Sequence, residues 1–508
     1  MRMENTRSKN VFLNVFVGYV AQLGIILLSF FGRRIFVEFL SADYLGINGL
    51  YSNILSVLAL AELGLGNVTQ FFLYKPVAEN NYQKVTVLFK YFQKLYIGIA
   101  TTVLIIGVAI IPFLKYVINS NLHPNELIIY YVLFLLNSVI TYFSAPHCAL
   151  LAANQDNRLH KIVTLATNFI LQFAHIAVLC IWHNYVLYVV ATLLGTVLNV
   201  VLLNVICLKK YPYVKNKEKT INIDKKEILK SVKSTFFYKV GAVIVNNTTN
   251  ILISILISTA AVGIYSNYYM VVSGVQGFIV IITTSLISGI GNLSAQGNKE
   301  RMYSVFNTLM LFYNYIATVG GIGFFLVFND FIPLWLGNDY TLDIKSVFAI
   351  AFAFYLTNAI SPIWMYREAN GLFNKVKYLM IAVAGCNIVF SIILGKILGI
   401  SGVLLAPSIA RMFTMVWYEP QILFKSVFGI SQKKYWRSAI RYFVLTVISF
   451  VLCYFATMYL STGIDFMVLK AIIIVLICTF VYALFNIGTP QFKEIKNLLS
   501  LINKRRKA

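Results

Sequence analysis

About fourteen apolar segments, each long enough to cross a bilayer, follow one another along the chain with short polar stretches between them. A membrane-spanning helix needs about 20 mostly apolar residues, whereas a surface helix of a soluble protein keeps one polar face. Charged residues make up 12% of the chain, against about 25% in soluble domains. The sequence therefore predicts an all-α integral membrane protein with spans at 11–39, 46–72, 96–118, 127–151, 162–182, 186–208, 236–257, 264–290, 305–328, 347–366, 378–398, 403–424, 442–460 and 466–487.

The placement of lysine and arginine predicts which side of the membrane each loop faces. With both termini in the cytoplasm, 35 of the 42 Lys and Arg residues fall on the cytoplasmic side, and one, Arg411, lies inside a span. Cytoplasmic loops are enriched in Lys and Arg, so this asymmetry predicts cytoplasmic N- and C-termini. It also explains the net charge of +24 without nucleic acid, which we do not expect as a partner. The six on the outer side are Arg33, Arg34, Lys115, Lys345, Lys396 and Lys470.

The longest predicted cytoplasmic loop, 209–235, carries nine lysines and separates two sets of six spans. We therefore predict an N-lobe at 1–208, a C-lobe at 236–425, and two further helices with a basic cytoplasmic tail at 426–508. Within the loop, Asp224 and Glu227 have the spacing of a helix capping box. A short amphipathic helix on the inner leaflet and a solvated linker both fit this stretch.

Short motifs recur in the two predicted lobes at nearly constant spacing. Tyr-Leu-Gly-Ile at 44–47 opens the second span, and Ala-Val-Gly-Ile at 261–264 opens the eighth, 217 residues later. Ala-Asn pairs at 153–154 and 369–370 are 216 residues apart. The lobes are therefore predicted to be parallel repeats, and in transporters such halves enclose a central substrate site.

Polar side chains within several spans recur every three or four residues, so that they share one helix face. In lipid, such a face has to contact protein or water, because an unpaired polar group in hydrocarbon is costly. Hydrogen bonding between helices and lining of a cavity explain the Ser and Asn residues equally well. These residues are Asn14, Gln22 and Ser29 in the first span, Asn48, Ser52 and Ser56 in the second, and Asn246, Asn250, Ser254 and Ser258 in the seventh.

Charged residues within the spans favour a water-filled cavity. Glu62 and Arg411 lie deep in their spans, where a charge costs about 2.5–3.5 kcal/mol, so they should face a cavity or each other. Arg33 and Arg34 lie near the outer end of the first span, where snorkelling to the interface is equally consistent with the sequence. The candidate residues of a central substrate cavity are Arg33, Arg34, Glu62, Lys239, Asn246, Asn250 and Arg411.

The sequence contains no pattern typical of a catalytic site. The five histidines are scattered, and the six cysteines lie in or beside apolar segments without the spacing of metal ligands. A phosphate-binding Gly-rich loop that ends in Gly-Lys-Ser or Gly-Lys-Thr is absent from the sequence. We therefore expect a protein that is not an enzyme and needs neither a metal nor a cofactor.

The chain resembles the polysaccharide-transporter, or O-antigen flippase, family of the multidrug/oligosaccharidyl-lipid/polysaccharide (MOP) superfamily. The resemblance extends over nearly the whole chain and is clearest at 31–36 (Phe-Gly-Arg-Arg-Ile-Phe), 44–50 (Tyr-Leu-Gly-Ile-Asn-Gly-Leu), 60–66 (Leu-Ala-Glu-Leu-Gly-Leu-Gly) and 262–269 (Val-Gly-Ile-Tyr-Ser-Asn-Tyr-Tyr). It implies two six-helix lobes in a V around a central cavity, as in MATE transporters. The two additional C-terminal helices are similar to those of the lipid II flippase branch.

The resemblance also implies a function. The expected activity is transfer of an undecaprenyl-diphosphate-linked oligosaccharide across the bacterial cytoplasmic membrane, for O-antigen, capsule or teichoic-type polymers. The implied partners are membrane lipids, the glycan polymerase and glycosyltransferases of the pathway, and H+ or Na+ as coupling ion. Arg33 and Arg34 match a basic position in the first helix of the lipid II branch. Relatives often have Asp where Thr249 precedes Asn250 here, so no coupling role follows for that position.

The sequence is also compatible with two other functions. A drug–cation antiporter with the same fold would need acidic cavity residues, whereas the candidates here are mostly basic. A membrane enzyme that polymerises or ligates glycans usually needs a large outer loop, and the longest one predicted here is 329–346. That loop contains acidic and aromatic side chains, which suit either a sugar contact or an ordinary membrane interface.

Overall fold

The computed structural model describes residues 23–62, 65–154, 156–216, 224–461 and 463–494. These parts are nearly all helical and contain no β-strand. The first half has α1 (23–39), α2 (Ala42–Leu58), α3 (Leu65–Ala78), α4 (Tyr82–Ile110), α5 (Leu114–Val117), α6 (Pro124–Thr141), α7 (Ala145–Ala153), α8 (Asn157–Trp182), α9 (Tyr185–Lys210) and α10 (Lys225–Leu256). The second half has α11 (Thr259–Ala295), α12 (Lys299–Leu336), α13 (Ile344–Ala359), α14 (Ser361–Ala369), α15 (Phe373–Leu398), α16 (Ile400–Phe413), α17 (Met415–Leu423), α18 (Lys433–Thr457) and α19 (Ile464–Asn486).

The lengths and compositions of these helices confirm a multi-pass membrane protein. In the described ranges, ten spans are long and apolar enough to cross a membrane, and the bent pair α13–α14 would make an eleventh. Large apolar side chains such as Leu476 and Phe480 of α19 are 62% and 66% exposed, as a surface that faces lipid requires. The predicted all-α membrane fold is confirmed, and the count of 14 spans stays a prediction.

Residue contacts divide the chain into two compact units, Met1–Gly263 and Ile264–Ala508. In the first unit, α10 packs against α2 and α3. In the second, α12 packs against α13, α18 and α19. The lobe boundaries predicted around the 209–235 loop do not coincide with this division and stay a prediction.

Helix α10 runs without interruption from the basic loop into the seventh predicted span. Its N-terminus is capped as predicted, because the carboxylate of Asp224 accepts hydrogen bonds from the backbone N–H groups of Lys226 and Glu227, both at 3.0 Å. A helix of 32 residues is about 48 Å long, which exceeds the hydrocarbon core of about 30 Å. Its first turns therefore extend beyond the core as part of one helix, so the described end of the loop, from Lys225 onward, continues directly into the span.

Two spans are broken at equivalent positions of the predicted repeat. Helices α7 and α14 follow short interruptions after α6 and α13, and each is nine residues long with a proline near its start, Pro146 and Pro362. Proline lacks an N–H and clashes with the preceding turn, which explains both interruptions. Both helices end at an asparagine whose Nδ2 donates to the carbonyl four residues earlier, at 2.9 Å for Asn154 and 2.8 Å for Asn370.

The starts of α4 and α12 repeat a second local geometry. The side chains of Asn81 and Asn298, 217 residues apart, each accept a hydrogen bond of 3.0 Å from the backbone N–H three residues later. The residue before each cap is left-handed, with φ of 52° at Asn80 and 73° at Gly297. Recurrence of the same cap and turn at the repeat spacing supports the predicted internal repeat.

The two C-terminal helices are bonded to the centre of the second unit. The hydroxyl of Thr318 on α12 contacts the hydroxyls of Thr446 on α18 at 2.6 Å and Tyr482 on α19 at 2.8 Å. Near the predicted outer side, the ammonium of Lys470 lies 2.6 Å from the carboxylate of Asp330. Helices α18 and α19 are therefore integral to this unit.

Candidate functional site

Glu62 lies at an interruption of the second predicted span. Helix α2 ends at Leu58, a 3₁₀ helix covers Ala59–Glu62, and α3 begins at Leu65. The side chain is half-buried and interacts electrostatically with the hydroxyls of Tyr96 and Tyr142. In transporters, broken helices often supply substrate and ion sites, because their unwound backbone is polar. The sequence predicted a single span over 46–72, and the structure interrupts its α-helix with the 3₁₀ turn at Ala59–Glu62.

The polar stripe on α2 lies on its exposed side. Ser52 and Ser56 are exposed, whereas Tyr51 and Leu55 are buried. The two hydroxyls donate to the carbonyls of Asn48 and Ser52, both at 2.7 Å, so the helix itself satisfies these donors. A polar, exposed face on an apolar span suits contact with water better than contact with lipid.

Arg33 and Arg34 of α1 lie in different environments. Arg34 is exposed, whereas Arg33 is half-buried and interacts electrostatically with Tyr188 of α9. The ring of Tyr188 stacks on that of His175 on α8, with centroids 3.9 Å apart. Arg33 therefore lies beside the contact between α8 and α9, and Arg34 is the more accessible of the two arginines.

The polar stripe on α10 is partly used for contacts between helices. Ser254 is fully buried and donates to the carbonyl of Val117 at 2.7 Å, which is an interhelical hydrogen bond. Asn250 is half-buried, and its Nδ2 would lie 3.6 Å from a Cβ placed at Gly49 of α2. Asn250 Oδ1 has no hydrogen-bond partner among the described residues.

Some of the predicted polar positions lie outside what the structure describes. Lys239 and Asn246 belong to α10, but their side chains lie outside the described residues. Asn14 and Gln22 of the first span also lie outside them. Ser29, on the same predicted stripe, accepts a hydrogen bond of 3.2 Å from Gln172 Nε2.

The second unit contains a cluster of buried charges. Arg367 of α14 donates through Nη1 to Glu419 Oε1 of α17 and through Nη2 to Glu368 Oε1, the latter at 2.9 Å. The side chains of Arg367 and Glu419 are 3% and 5% exposed. Arg411 of α16 donates to the hydroxyl of Thr357 at 2.8 Å and interacts electrostatically with Glu419. Two arginines and two glutamates therefore form an electrically balanced group.

Glu419 is not among the residues predicted from the sequence, although a signal for it is present. Glu419 lies eight residues after Arg411 in the twelfth predicted span, which contains no other charge. Eight residues are slightly more than two helical turns, so an acid and a base share one side of an apolar segment. Burying either charge without a partner would cost several kcal/mol, and pairing can recover about as much. Two opposite charges on one side of an apolar segment therefore indicate that each has a partner nearby.

The structure thus groups some of the predicted site residues and not others. Arg411 joins the Arg367–Glu419 cluster in the second unit. The other six candidates, Arg33, Arg34, Glu62, Lys239, Asn246 and Asn250, belong to the first unit. A single substrate site formed by all seven stays a prediction.

Comparisons with known proteins identify the fold. The lipid II flippase MurJ in an inward closed conformation is similar, with a TM-score of 0.69 over 92% of this chain and 98% of that chain, at 15% identity. An inward-facing multidrug resistance transporter of the MATE family, in the MOP superfamily, gives a TM-score of 0.62 over 80% and 99%, at 16% identity. MATE in a bent conformation gives 0.54 over 80% and 94%, also at 16% identity. These similarities confirm the predicted MurJ- and MATE-like fold.

The sequence itself identifies the family. The family model described as polysaccharide biosynthesis protein matches residues 11–287, which is more than half of the chain. No curated protein sequence matches the chain. The many apolar helices and the MurJ- and MATE-like fold agree with the family match. This multi-pass membrane protein therefore belongs to the polysaccharide biosynthesis protein family.

Proposed function

We propose that this protein is a flippase for an undecaprenyl-diphosphate-linked oligosaccharide in the bacterial cytoplasmic membrane. One observation carries the proposal: a chain of the polysaccharide biosynthesis protein family has the fold of a lipid II flippase and of MATE transporters. The family indicates a glycan, and the fold indicates movement of a solute across the membrane. The products would be building units of O-antigen, capsule or teichoic-type polymers.

The physical chemistry of such a substrate matches the polar features of the spans. Hydrocarbon rejects the diphosphate and the sugar hydroxyls, whereas the polyprenyl tail is stable in lipid. A polar groove open to the side would let the head group cross while the tail remains in the bilayer. The exposed Ser52 and Ser56 and the interruption at Glu62 provide polar surface within the second span.

Basic side chains would bind the diphosphate. A guanidinium donates two parallel hydrogen bonds to phosphate oxygens, which suits Arg34 on its exposed side of α1 and Arg411 beside Thr357. Arg33, Glu62, Lys239, Asn246 and Asn250 complete the proposed set of cavity residues. Alternating access of the two predicted lobes would move the head group, with H+ or Na+ as the proposed coupling ion.

Both termini lie in the cytoplasm, in agreement with the asymmetry of Lys and Arg. The protein acts on lipid-linked oligosaccharide made by glycosyltransferases and supplies a glycan polymerase. It performs no covalent chemistry itself.

Reconstitution tests this function directly. The purified protein is placed in liposomes that contain an undecaprenyl-diphosphate-linked saccharide labelled on the sugar, and a membrane-impermeant reagent measures how much label is accessible. Protein-dependent exchange between leaflets supports the proposal. An excess of unlabelled undecaprenyl phosphate, which lacks the sugar and should not compete, provides a specificity control. Gradient-driven transport of a cationic dye without movement of the lipid would instead establish the drug–cation antiporter.

A further inference from the structure

A cavity of about 310 Å³ opens where several helix ends of the first unit meet on the predicted cytoplasmic side. The end of α3, the start of α4, the end of α7 and the end of α9 surround it. None of the residues proposed to contact the diphosphate lines this cavity. Its lining residues are Val77, Asn80, Tyr82, Asn154, Lys210, Tyr211 and Tyr213.

The segment 211–216 forms one wall and is firmly attached. The hydroxyl of Tyr211 donates to the carboxylate of Asp156, and the hydroxyl of Thr86 donates to the carbonyl of Tyr213 at 3.2 Å. Val214 within this segment is 2% exposed. These hydrogen bonds and the burial of Val214 fix the segment to the rest of the first unit. The cavity is therefore formed before any ligand binds.

The cation that lines the cavity is paired with a carboxylate. Lys210 is the only cation among the lining residues, and its ammonium lies 2.7 Å from Asp156 Oδ2. The same carboxylate accepts the hydrogen bond from Tyr211. An anion would have to compete with Asp156 for Lys210, so this arrangement favours a polar but uncharged ligand.

Three tyrosine rings and two amides give the cavity a mixed surface. Tyr82 is 52% exposed, and its ring lies 4.6 Å from that of Tyr213 at an angle of 41°. Asn80 and Asn154 provide amide groups. Asn80 Oδ1 accepts from the Tyr82 hydroxyl at 3.4 Å and Asn154 Nδ2 donates to the carbonyl of Leu150 at 2.9 Å, so a ligand would use their remaining donor and acceptor positions. A pyranose ring has apolar C–H faces that stack on aromatic rings, and a rim of hydroxyls that matches amides.

We propose that this cavity binds an uncharged pyranose sugar. Its volume lies at the lower end of the range for small-molecule sites, about 300–1,000 Å³, and suits one or two sugar rings. Resting on the proposed flippase function, the site holds a sugar of the lipid-linked oligosaccharide at the cytoplasmic face, outside the spans. A lipid-linked glycan and a free saccharide present the same chemistry to it.

Ligand-observed NMR on the full-length protein in detergent tests this site. Saturation transfer is measured separately for glucose, galactose and N-acetylglucosamine. We expect transfer to at least one of them with the wild-type protein, and about a fivefold loss with Tyr82→Ala, the effect of one stacked ring. Tyr74→Ala removes a tyrosine of α3 that is 48% exposed and does not line the cavity, so it should bind like the wild type.

Three results would overturn the inference. The first is an absence of saturation transfer to all three sugars. The second is equal transfer with the wild type and with Tyr82→Ala, and the third is displacement of the sugar by inorganic phosphate at equal concentration. The reconstitution experiment separates this failure from failure of the proposed function. Sugar binding without lipid movement would overturn the flippase and leave the cavity as a saccharide site, whereas lipid movement without sugar binding would overturn the cavity alone.

Discussion

Gly46 of α2 and Gly263 of α11 lie at a helix crossing where neither position has room for a side chain. A Cβ at Gly46 would lie 1.8 Å from the carbonyl oxygen of Thr259, and a Cβ at Gly263 would lie 2.1 Å from that of Ala42. Each glycine therefore faces the residue four positions before the other glycine. Both pairs are related by the 217-residue repeat, so the crossing is locally two-fold.

We expect Gly46→Ala to destabilise the protein. Backbone atoms cannot yield as a side chain does, and overpacking of this kind costs about 1–3 kcal/mol, more than the gain of about 1 kcal/mol in helix propensity. Thermal unfolding in detergent measures the effect. The control is Gly98→Ala in α4, where a Cβ would contact nothing within 4 Å. Equal midpoints for the two variants would contradict the close crossing.

If the predicted lobes separate at their outer ends during transport, this crossing has to open. Gly263→Ala would then weaken the state with α2 and α11 in contact, and accessibility from the outer side should rise. Labelling of Val262→Cys by a membrane-impermeant thiol reagent measures it, because Val262 is fully buried beside Gly49 of α2 at this crossing. A labelling rate that Gly263→Ala leaves unchanged would argue against movement at this crossing.

We expect Arg411→Ala to lower export of lipid-linked glycan at least about tenfold while protein abundance stays near normal. A hydrogen bond from a charged group to its ligand contributes about 1.5–3 kcal/mol, and about 1.4 kcal/mol corresponds to a factor of ten. Exchange in proteoliposomes and quantitative immunoblotting are the two measurements. Thr357→Val is the control, because it removes the hydroxyl that accepts a hydrogen bond from Arg411 but keeps the charge of the arginine. Unchanged export would remove Arg411 from the substrate path.

We expect Glu419→Leu to lower the free energy of unfolding by about 3–5 kcal/mol, because it leaves Arg367 buried without its main partner. The double variant Arg367→Met/Glu419→Leu should recover most of this loss, because apolar replacement of both charges is often neutral. Thermal unfolding reports both. Glu79→Ala disrupts the exposed pair with Lys75 and should cost less than about 1 kcal/mol. If Glu419→Leu were as stable as the wild type, the Arg367–Glu419 pair would contribute nothing to stability.

The contact of Asp156 with Lys210 should depend on pH only in acid. Burial raises the pKa of the Asp156 carboxyl, but hydrogen bonds from Lys210 and Tyr211 lower it by more, so its pKa lies below the ordinary value. A lowered pKa in the folded state means that the contact stabilises above the unfolded pKa of about 3.9 and is lost as pH falls through the folded pKa. The difference in thermal midpoint between the wild type and Asp156→Asn should be constant from pH 8 to 6 and shrink toward pH 3. A difference that grows in acid would reverse the assigned sign.

The positions of the helices could be predicted from the sequence, but several of their interruptions could not. A long apolar segment is a local signal, so a described helix lies at each predicted span. The 3₁₀ turn at Ala59–Glu62 lies in an apolar stretch marked only by Glu62 and the nearby Gly64 and Gly66, and these residues did not by themselves indicate a break in the helix. Pro146 and Pro362 did offer a signal for the breaks before α7 and α14, because proline disfavours a continuous helix.

The sequence by itself determined that this protein crosses a membrane many times, and it predicts which side the basic loops face and that the two lobes are repeats. These properties follow from the length of apolar segments, the placement of charge and the spacing of motifs, all of which are readable along one chain. Only the tertiary structure decided that Glu419 pairs with Arg367, that Gly46 contacts Thr259, and that Asp156 balances Lys210 beside a cavity. Such contacts depend on which helices pack side by side, and residues far apart in the sequence carry no record of that packing.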